Sequence, residues 1–443
     1  MTPQSTGELP EIRIFKVQRI DNNVYESVTA LKLAEGTRCI VFVAEDGQMS
    51  QATARSIAAE YDARVYPRIT GVFGDYTAKG YDVDNNGKII LLLVDIKDGY
   101  TGEGGYVAGY FDRNHLHDGP SSNRADMLFI DINPQVPDSP GFYANIAHEL
   151  QHLINYAVHD GESQELWLNE GLSSAAEYLY GGPQQDRIKY FKQDPLGTIV
   201  RGNNFFVWDG YWEKDEGDSL ANYATAYLFF QWLRIHAGGP GIYSAIGNSS
   251  MRDYQAVTQA AKSWIPDITE TDDSEIWNRL LSSWMIANLA NAPEGLYGYK
   301  GEISTTVRSF TYENIHPVQF FPGEGIYSLF NNNKTLSESD IMGSGPHIRY
   351  VGIGGAAENP KIIEIAPYTG KVLLTYNANP VCVGDSETGI LMTYSPALSS
   401  PGSTVFPGAS RSALPSGGLP LSYPIGAGDL RFRASAGGAE PLR

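Results

Sequence analysis

The sequence predicts an α+β fold in three parts: an α/β segment over 1–182, a mainly helical segment over 183–304 and an antiparallel β segment over 305–443. Three observations carry this. Strand-like and helix-like stretches alternate through the first 180 residues. Amphipathic helical stretches then follow one another, separated by breakers such as Gly238-Gly239-Pro240. Beyond roughly residue 300 the hydrophobic period shortens from 3.6 to two.

Taken in order, Arg38 to Ala44 is β-rich and reads as a strand, and Ser50 to Tyr66 reads as a helix. Ser50 is its candidate N-cap, Ile57, Ala58 and Tyr61 share one face, and Pro67 is expected to stop it. Lys88 to Ile96 is almost continuously aliphatic, the pattern of a strand buried on both faces. Tyr106 to Asp112 and Met127 to Ile132 add two short strands. From Phe142 to Tyr156 the pattern turns helical, with Ile146, Leu150, Leu153 and Ala157 stacking on one side. The next helix spans about Glu165 to Tyr180 and is closed by Gly181-Gly182-Pro183, a C-cap followed by a breaker.

Ser219 to His236, about Met251 to Trp264, and Ser274 to Asn291 make the helical segment. Past it, Ile348 to Ile353, Lys361 to Ala366 and Lys371 to Asn377 alternate around turn signals such as Tyr368-Thr369-Gly370. Residues 395 to 428 are rich in Pro, Ser and Gly and read as wide loops or a loosely held tail. The change of pattern near 300 predicts a separate β core, dispensable for any chemistry placed before it.

Composition narrows the function classes. A formal net charge of −19 argues against phosphate backbones and anionic lipid, so nucleic acid is not an expected partner. The longest unbroken aliphatic run, Ile89 to Val94, is far shorter than the roughly 18–20 residues of a membrane span. Two cysteines, Cys39 and Cys382, allow neither a disulfide framework nor a cysteine zinc site, and both are expected to be buried thiols. The first residues show no basic stretch followed by an apolar one, so no signal peptide is visible.

The chemistry concentrates in His148-Glu149-Leu150-Gln151-His152, inside a predicted helix. A spacing of four puts both imidazoles on one face, where they can grip a single ion. Glu149 can reach a water beside that ion without being a ligand. The motif arises by chance in about one in a hundred chains of this composition, so the alternative, a partly buried polar helix face, needs weighing. Trp167-Leu168-Asn169-Glu170-Gly171 tips the balance: beyond an Asp160-Gly161 turn, an antiparallel second helix would bring Glu170 to the metal. Two His and one Glu leave a fourth tetrahedral position for water, the catalytic arrangement of zinc.

These residues resemble the zinc-binding core of the gluzincin metallopeptidases. Within that group, Val43 to Tyr180 is most similar to the hyicolysin family of bacterial secreted neutral metallopeptidases. The similarity is carried by Asp82-Val83-Asp84-Asn85-Asn86-Gly87, Tyr106-Val107-Ala108-Gly109-Tyr110-Phe111, Ile146 to Tyr156 and Trp167 to Leu172. It implies a zincin-type catalytic domain, with an α/β upper subdomain holding a mixed sheet and the active-site helix, and a helical lower subdomain. It also implies one zinc held by His148, His152 and Glu170, Glu149 as general base, and a secreted or cell-surface location. Zinc lowers the pKa of a coordinated water and polarises a carbonyl, and a neighbouring carboxylate can take the proton.

Other candidates rest on less. Glu177, two turns after Glu170, either orients a metal-binding imidazole or is a solvated helix carboxylate. His159, near the helix end, is a weaker third ligand than Glu170. Tyr223, with Tyr227 behind it, is the candidate donor to a tetrahedral oxyanion, on a likeness to the aminopeptidase N family that amounts to a Tyr followed by small residues. Asp82, Asp84 and Asn86, with Gly87, match the first half of a calcium loop, but Val94 stands where the bidentate Glu belongs. His115 and His117 read as loop residues rather than a second metal site. No Gly-x-Met-Glu-Asn segment precedes the helix to capture a free amine, whereas Tyr106 to Asp112 could serve as an edge strand for an extended peptide.

The expectation is therefore a zinc-dependent endopeptidase, monomeric, acting on protein or peptide substrates. Its rivals are a zinc aminopeptidase and a cell-surface or matrix binding protein on a degenerate zincin scaffold. An intact base and an open coordination site speak against the scaffold.

Overall fold

The computed structural model describes residues 11–102, 105–200, 202, 206, 219–305 and 307. From the rest of the chain it describes 310–311, 323–331, 349–356, 359–365, 388–396 and 433–435. The predicted strand Lys371 to Asn377, the turn before it, Cys382 and most of residues 395–428 lie outside the described residues. Two compact units result: Met1–Gln164, Leu172–Pro183 and Pro415–Arg443 form one, and Glu165–Gly171 with Gln184–Leu414 the other.

In the first unit the elements run β1 (Ile12–Gln18), β2 (Tyr25–Glu35), β3 (Cys39–Ala44), α1 (Gln51–Glu60), α2 (Tyr66–Phe73), β4 (Ile89–Val94), β5 (Gly105–Val107), β6 (Gly109–Phe111), β7 (Met127–Asp131) and α3 (Pro140–Val158). Helix α4 (Leu166–Gly181) follows, and the division between the units falls within it.

The six-stranded sheet has the order β1-β2-β3-β4-β7-β6. Strands β3, β4 and β7 are parallel, and β1, β2 and β6 pair antiparallel at the flanks, so the sheet is mixed, as expected. All six residues of β4 are buried, in keeping with its unbroken aliphatic pattern. Ile90, Leu92 and Val94 face a core with Phe15, Phe42, Tyr110 and Phe129. Helix α3 packs on β6, β7 and α2.

The helix after Ser50 departs from expectation. Ser50 does cap it, accepting from the Thr53 N–H at 3.0 Å. Pro67, however, does not end it: a single π turn over Tyr61–Val65 restarts the ladder, and Pro67 falls in the first turn of α2, where a missing N–H costs nothing. The chain stays helical to Phe73. The β1–β2 hairpin is a further addition to the elements read from the sequence.

The second unit holds α5 (Gln185–Gln193), α6 (Ser219–His236), α7 (Gly241–Gly247), α8 (Tyr254–Trp264) and α9 (Asp273–Ala290). Strands β8 (Phe310–Thr311), β9 (Gly325–Asn331), β10 (Arg349–Ala356), β11 (Asn359–Ile365) and β12 (Thr388–Tyr394) form a sheet of order β11-β10-β12-β9-β8. The strands are antiparallel apart from the β8–β9 pair. Tyr327 donates to the Met285 carbonyl at 2.7 Å and Tyr394 to Asn278 Oδ1 at 2.8 Å, so the sheet is pinned to α9 and groups with it. Finally, β13 (Arg433–Ser435) pairs antiparallel with β5 and belongs to the first unit.

Candidate active site

Helix α3 opens on Ser139, whose hydroxyl accepts from the Phe142 N–H, with Pro140 in the first turn. Every side chain from Phe142 to Ala157 is buried, so the helix runs through the interior and carries its polar residues with it. His148, Glu149 and His152 are 0–1% exposed. Burial of that many polar groups is costly unless each has work to do.

The chain reverses after α3 at Asp160 and Gly161, whose φ values of 56° and 89° lie in the left-handed region. Asn155 clasps the far side of this turn: its Nδ2 donates to Gln164 Oε1 at 2.8 Å and its Oδ1 accepts from the Gln164 N–H at 3.0 Å. Helix α4 therefore starts in register to return along α3, as the Asp160-Gly161 signal predicts.

Its side chains then meet those of α3. His148 Nδ1 lies 2.6 Å from Glu177 Oε1, and His152 Nδ1 lies 3.0 Å from Ser173 Oγ. With both Nδ1 atoms engaged, Nε2 is the atom each ring would offer to a metal. The two rings stand edge to face with centroids 4.7 Å apart. One ligand atom each from His148, His152 and Glu170 lie within 4.8 Å of one another, all three residues buried. A pair of imidazoles and one carboxylate, with the imidazoles held from behind by a carboxylate and a hydroxyl, is a donor set that fits zinc. Glu177 thus takes the orienting position rather than a solvated one; it is 3% exposed.

The first turns of α4 carry their own support. Trp167 lies in an aromatic cluster with Phe206, Phe230 and Trp277, at ring separations of 4.8, 6.3 and 5.8 Å. Gly171 follows Glu170 because nothing larger fits: a Cβ there would stand 2.2 Å from the Phe230 ring. The glycine in Asn169-Glu170-Gly171 is thereby explained by packing against α6.

On the other side of Glu149 lies the strand. A Cβ on Gly109 would come within 2.6 Å of Asn145 Nδ2, 3.0 Å of the Phe129 carbonyl and 3.2 Å of Glu149 Cγ. Asn145 Nδ2 also donates to the Ala108 carbonyl at 2.8 Å. Strand β6 is thus held directly against the turn of α3 that bears Glu149, and it is the edge of the six-stranded sheet. The motif Tyr106 to Phe111 signalled this strand, though not the closeness of Gly109 to Glu149.

The remaining candidates separate clearly. His159 caps α3, its Nδ1 2.7 Å from the Asn155 carbonyl, and is not in the ligand group. Tyr223 is buried on α6 with the Arg187 guanidinium 5.1 Å from its ring centre. The Tyr227 hydroxyl accepts from the Gln184 N–H at 2.9 Å. His115 is a core residue: Nδ1 accepts from the Asn123 N–H at 3.0 Å, and burial lowers its pKa to about 3. His117 Nε2 lies 2.8 Å from the Tyr156 hydroxyl. Cys39 is a buried free thiol whose pKa burial pushes up.

The Asp82 loop is drawn together by its own side chains. Asn86 Oδ1 accepts from the Lys88 N–H at 2.7 Å while Nδ2 donates to Asp84 Oδ2 at 2.7 Å, so Asn86 helps to close the turn. A second carboxylate group does form, from Asp82, Asp84 and Asp126. Asp126 was not visible as a partner in the sequence, because sheet pairing and not local spacing brings it there.

Among the described residues no helix is long and apolar enough to cross a membrane. No family model matches the chain. Over 310 residues the chain is 27% identical to the neutral metalloprotease ShpI of Staphylococcus hyicus, a match covering 67% of each protein. Together with the buried His148, His152 and Glu170 group, that similarity supports a metalloprotease acting on peptide bonds, with zinc as the metal that fits.

Proposed function

We propose that the chain is a zinc-dependent endopeptidase of the gluzincin type, resembling the hyicolysin family, with His148, His152 and Glu170 as ligands and Glu149 as general base. The observation that carries the reading is the buried ligand group beside Glu149, with Glu177 and Ser173 behind the imidazoles. When bound, zinc would supply Lewis-acid polarisation of the scissile carbonyl and a lowered pKa for a coordinated water.

The chain's own residues supply the rest. Glu149 accepts the proton of the attacking water and passes it to the leaving amine. Glu177 keeps a proton on His148 Nδ1, which holds Nε2 unprotonated toward the metal. Tyr223 is proposed as the donor to the developing oxyanion. The edge strand around β6 is proposed to receive an extended peptide by main-chain hydrogen bonds, which favours cleavage within a chain. A monomer working outside the cell completes the reading and rests on the family resemblance.

One experiment tests these roles together. Wild-type, Glu149→Gln and Tyr223→Phe proteins are assayed for zinc content and for cleavage of casein and of acetyl-capped peptides. Glu149→Gln should keep zinc and lose activity by about 10²–10⁴. Tyr223→Phe should keep zinc and lose kcat by about 10²–10³ if it stabilises the oxyanion. A Glu149→Gln variant at wild-type rate ends the general-base assignment. Release of single N-terminal residues, with capped peptides untouched, moves the assignment to aminopeptidase.

A further inference from the structure

We propose that Asp82, Asp84 and Asp126 form a calcium site that clips the loop before β4 to the start of β7. The sequence match Asp82-x-Asp84-x-Asn86-Gly87 supplies only half of a calcium loop. The structure supplies a third carboxylate from elsewhere.

Strands β4 and β7 are parallel neighbours, Ile90 opposite Met127, and the Ile90 N–H donates to the Asp126 carbonyl at 3.0 Å. The loop and Asp126 therefore stand at the same end of the sheet, and one oxygen each from Asp82, Asp84 and Asp126 lie within 4.8 Å of one another. Asp126 is fully buried. Its Oδ2 accepts from the Tyr76 hydroxyl at 2.9 Å, while its Oδ1 has no hydrogen-bond partner among the described residues, nor has the buried Oδ1 of Asp84.

Unpartnered carboxylate oxygens turned out of water beside two more carboxylates are expensive to keep without a cation. The loop is shaped for the task already. Asp82 accepts from the Asn86 and Gly87 N–H groups at 3.1 and 3.0 Å, and Gly87 takes the left-handed φ of 71° that this turn requires. An all-oxygen carboxylate set selects a hard cation and disfavours zinc, whose protein sites ordinarily include nitrogen or sulfur donors, as His148 and His152 would supply in the other group.

The site is independent of the catalytic metal, and its test does not read activity. The whole protein is dialysed into calcium-depleted buffer containing zinc, and thermal unfolding is followed as CaCl2 or MgCl2 is added. Calcium should raise the midpoint saturably by several degrees, as ligand binding to the folded state requires, with magnesium much weaker. Asp126→Asn and Asp84→Asn should lose the shift while zinc content, by elemental analysis, stays at the wild-type level. Both variants should also match or exceed the wild-type midpoint without calcium, because one mutual repulsion is gone.

Terbium emission excited through tyrosine gives a second reading that needs no acidic variant. Calcium should displace it, and Tyr76→Phe should dim it, since the Tyr76 hydroxyl touches Asp126. A calcium shift that survives in Asp126→Asn and Asp84→Asn, an equal shift with magnesium, or no shift and no displaceable emission in the wild-type protein overturns the proposal.

Discussion

Under the proposed function, Glu177, whose Oε1 lies 2.6 Å from His148 Nδ1, would hold the proton on that nitrogen and leave Nε2 for the metal. Glu177→Gln retains the shape and loses the charge, so zinc affinity or activity should fall about 10- to 100-fold; competition against a zinc-binding dye checks this, and an unchanged affinity would return Glu177 to a structural part. His115 predicts a pH dependence. Burial sets its folded pKa at about 3, below the ordinary 6.5, so the unfolded chain takes up the proton first. Stability is therefore complete above about pH 6.5 and is lost as pH falls toward 3, with the Asp112 carboxylate 3.3 Å from Nε2 opposing the loss. His236, lowered to about 4 by burial as well, adds to the slope. Urea unfolding at pH 7.5 and pH 5 should show a flatter loss in His115→Gln than in the wild-type protein. Equal losses in the two proteins would mean that His115 does not carry it.

At the scale of elements, the approach of β6 to α3 is the feature most exposed to a single change. Gly109→Val puts carbon where Asn145 Nδ2, the Phe129 carbonyl and Glu149 Cγ already crowd. The overpacking should cost about 1–3 kcal/mol and push Glu149 out of line, with activity falling at least tenfold and zinc retained. A wild-type rate would show that β6 can yield without moving the base. Helix α3 was legible in advance because its length, period and histidine spacing all agree, and Glu170 because the turn signal at Asp160-Gly161 set the direction of α4. The β1–β2 hairpin was not: β1 buries Phe15 and Val17 but leaves Ile12 and Ile14 exposed, which blurs the alternation. Pro67 misled because a π turn just upstream changes what a proline means there. Asp126 and Gly109 act through sheet register and close approach, which no local pattern encodes.

For the whole molecule, the strands that follow residue 304 were expected to form a core of their own. In the second unit Ile326, Tyr327, Met392 and Tyr394 are buried, and both tyrosines hydrogen-bond to α9. Fully burying a large apolar side chain stabilises by about 1.5–3 kcal/mol. A chain ending near residue 304 should therefore be insoluble, or should melt roughly ten degrees lower, and calorimetry on the purified fragment decides it. An unchanged midpoint with zinc and peptide cleavage intact would restore the β segment as a separate module.

The two compact units also have a bearing on heredity. The backbone passes from one to the other at Gln164/Glu165, Gly171/Leu172, Pro183/Gln184 and Leu414/Pro415, so neither unit is a single stretch of chain. Recombination moves contiguous segments. No single crossover within the gene can exchange one unit whole, and a crossover inside α4 would part the codon for Glu170 from that for Glu177. A transferred segment must span α3 and α4 together to carry His148, His152, Glu170 and Glu177 as one piece.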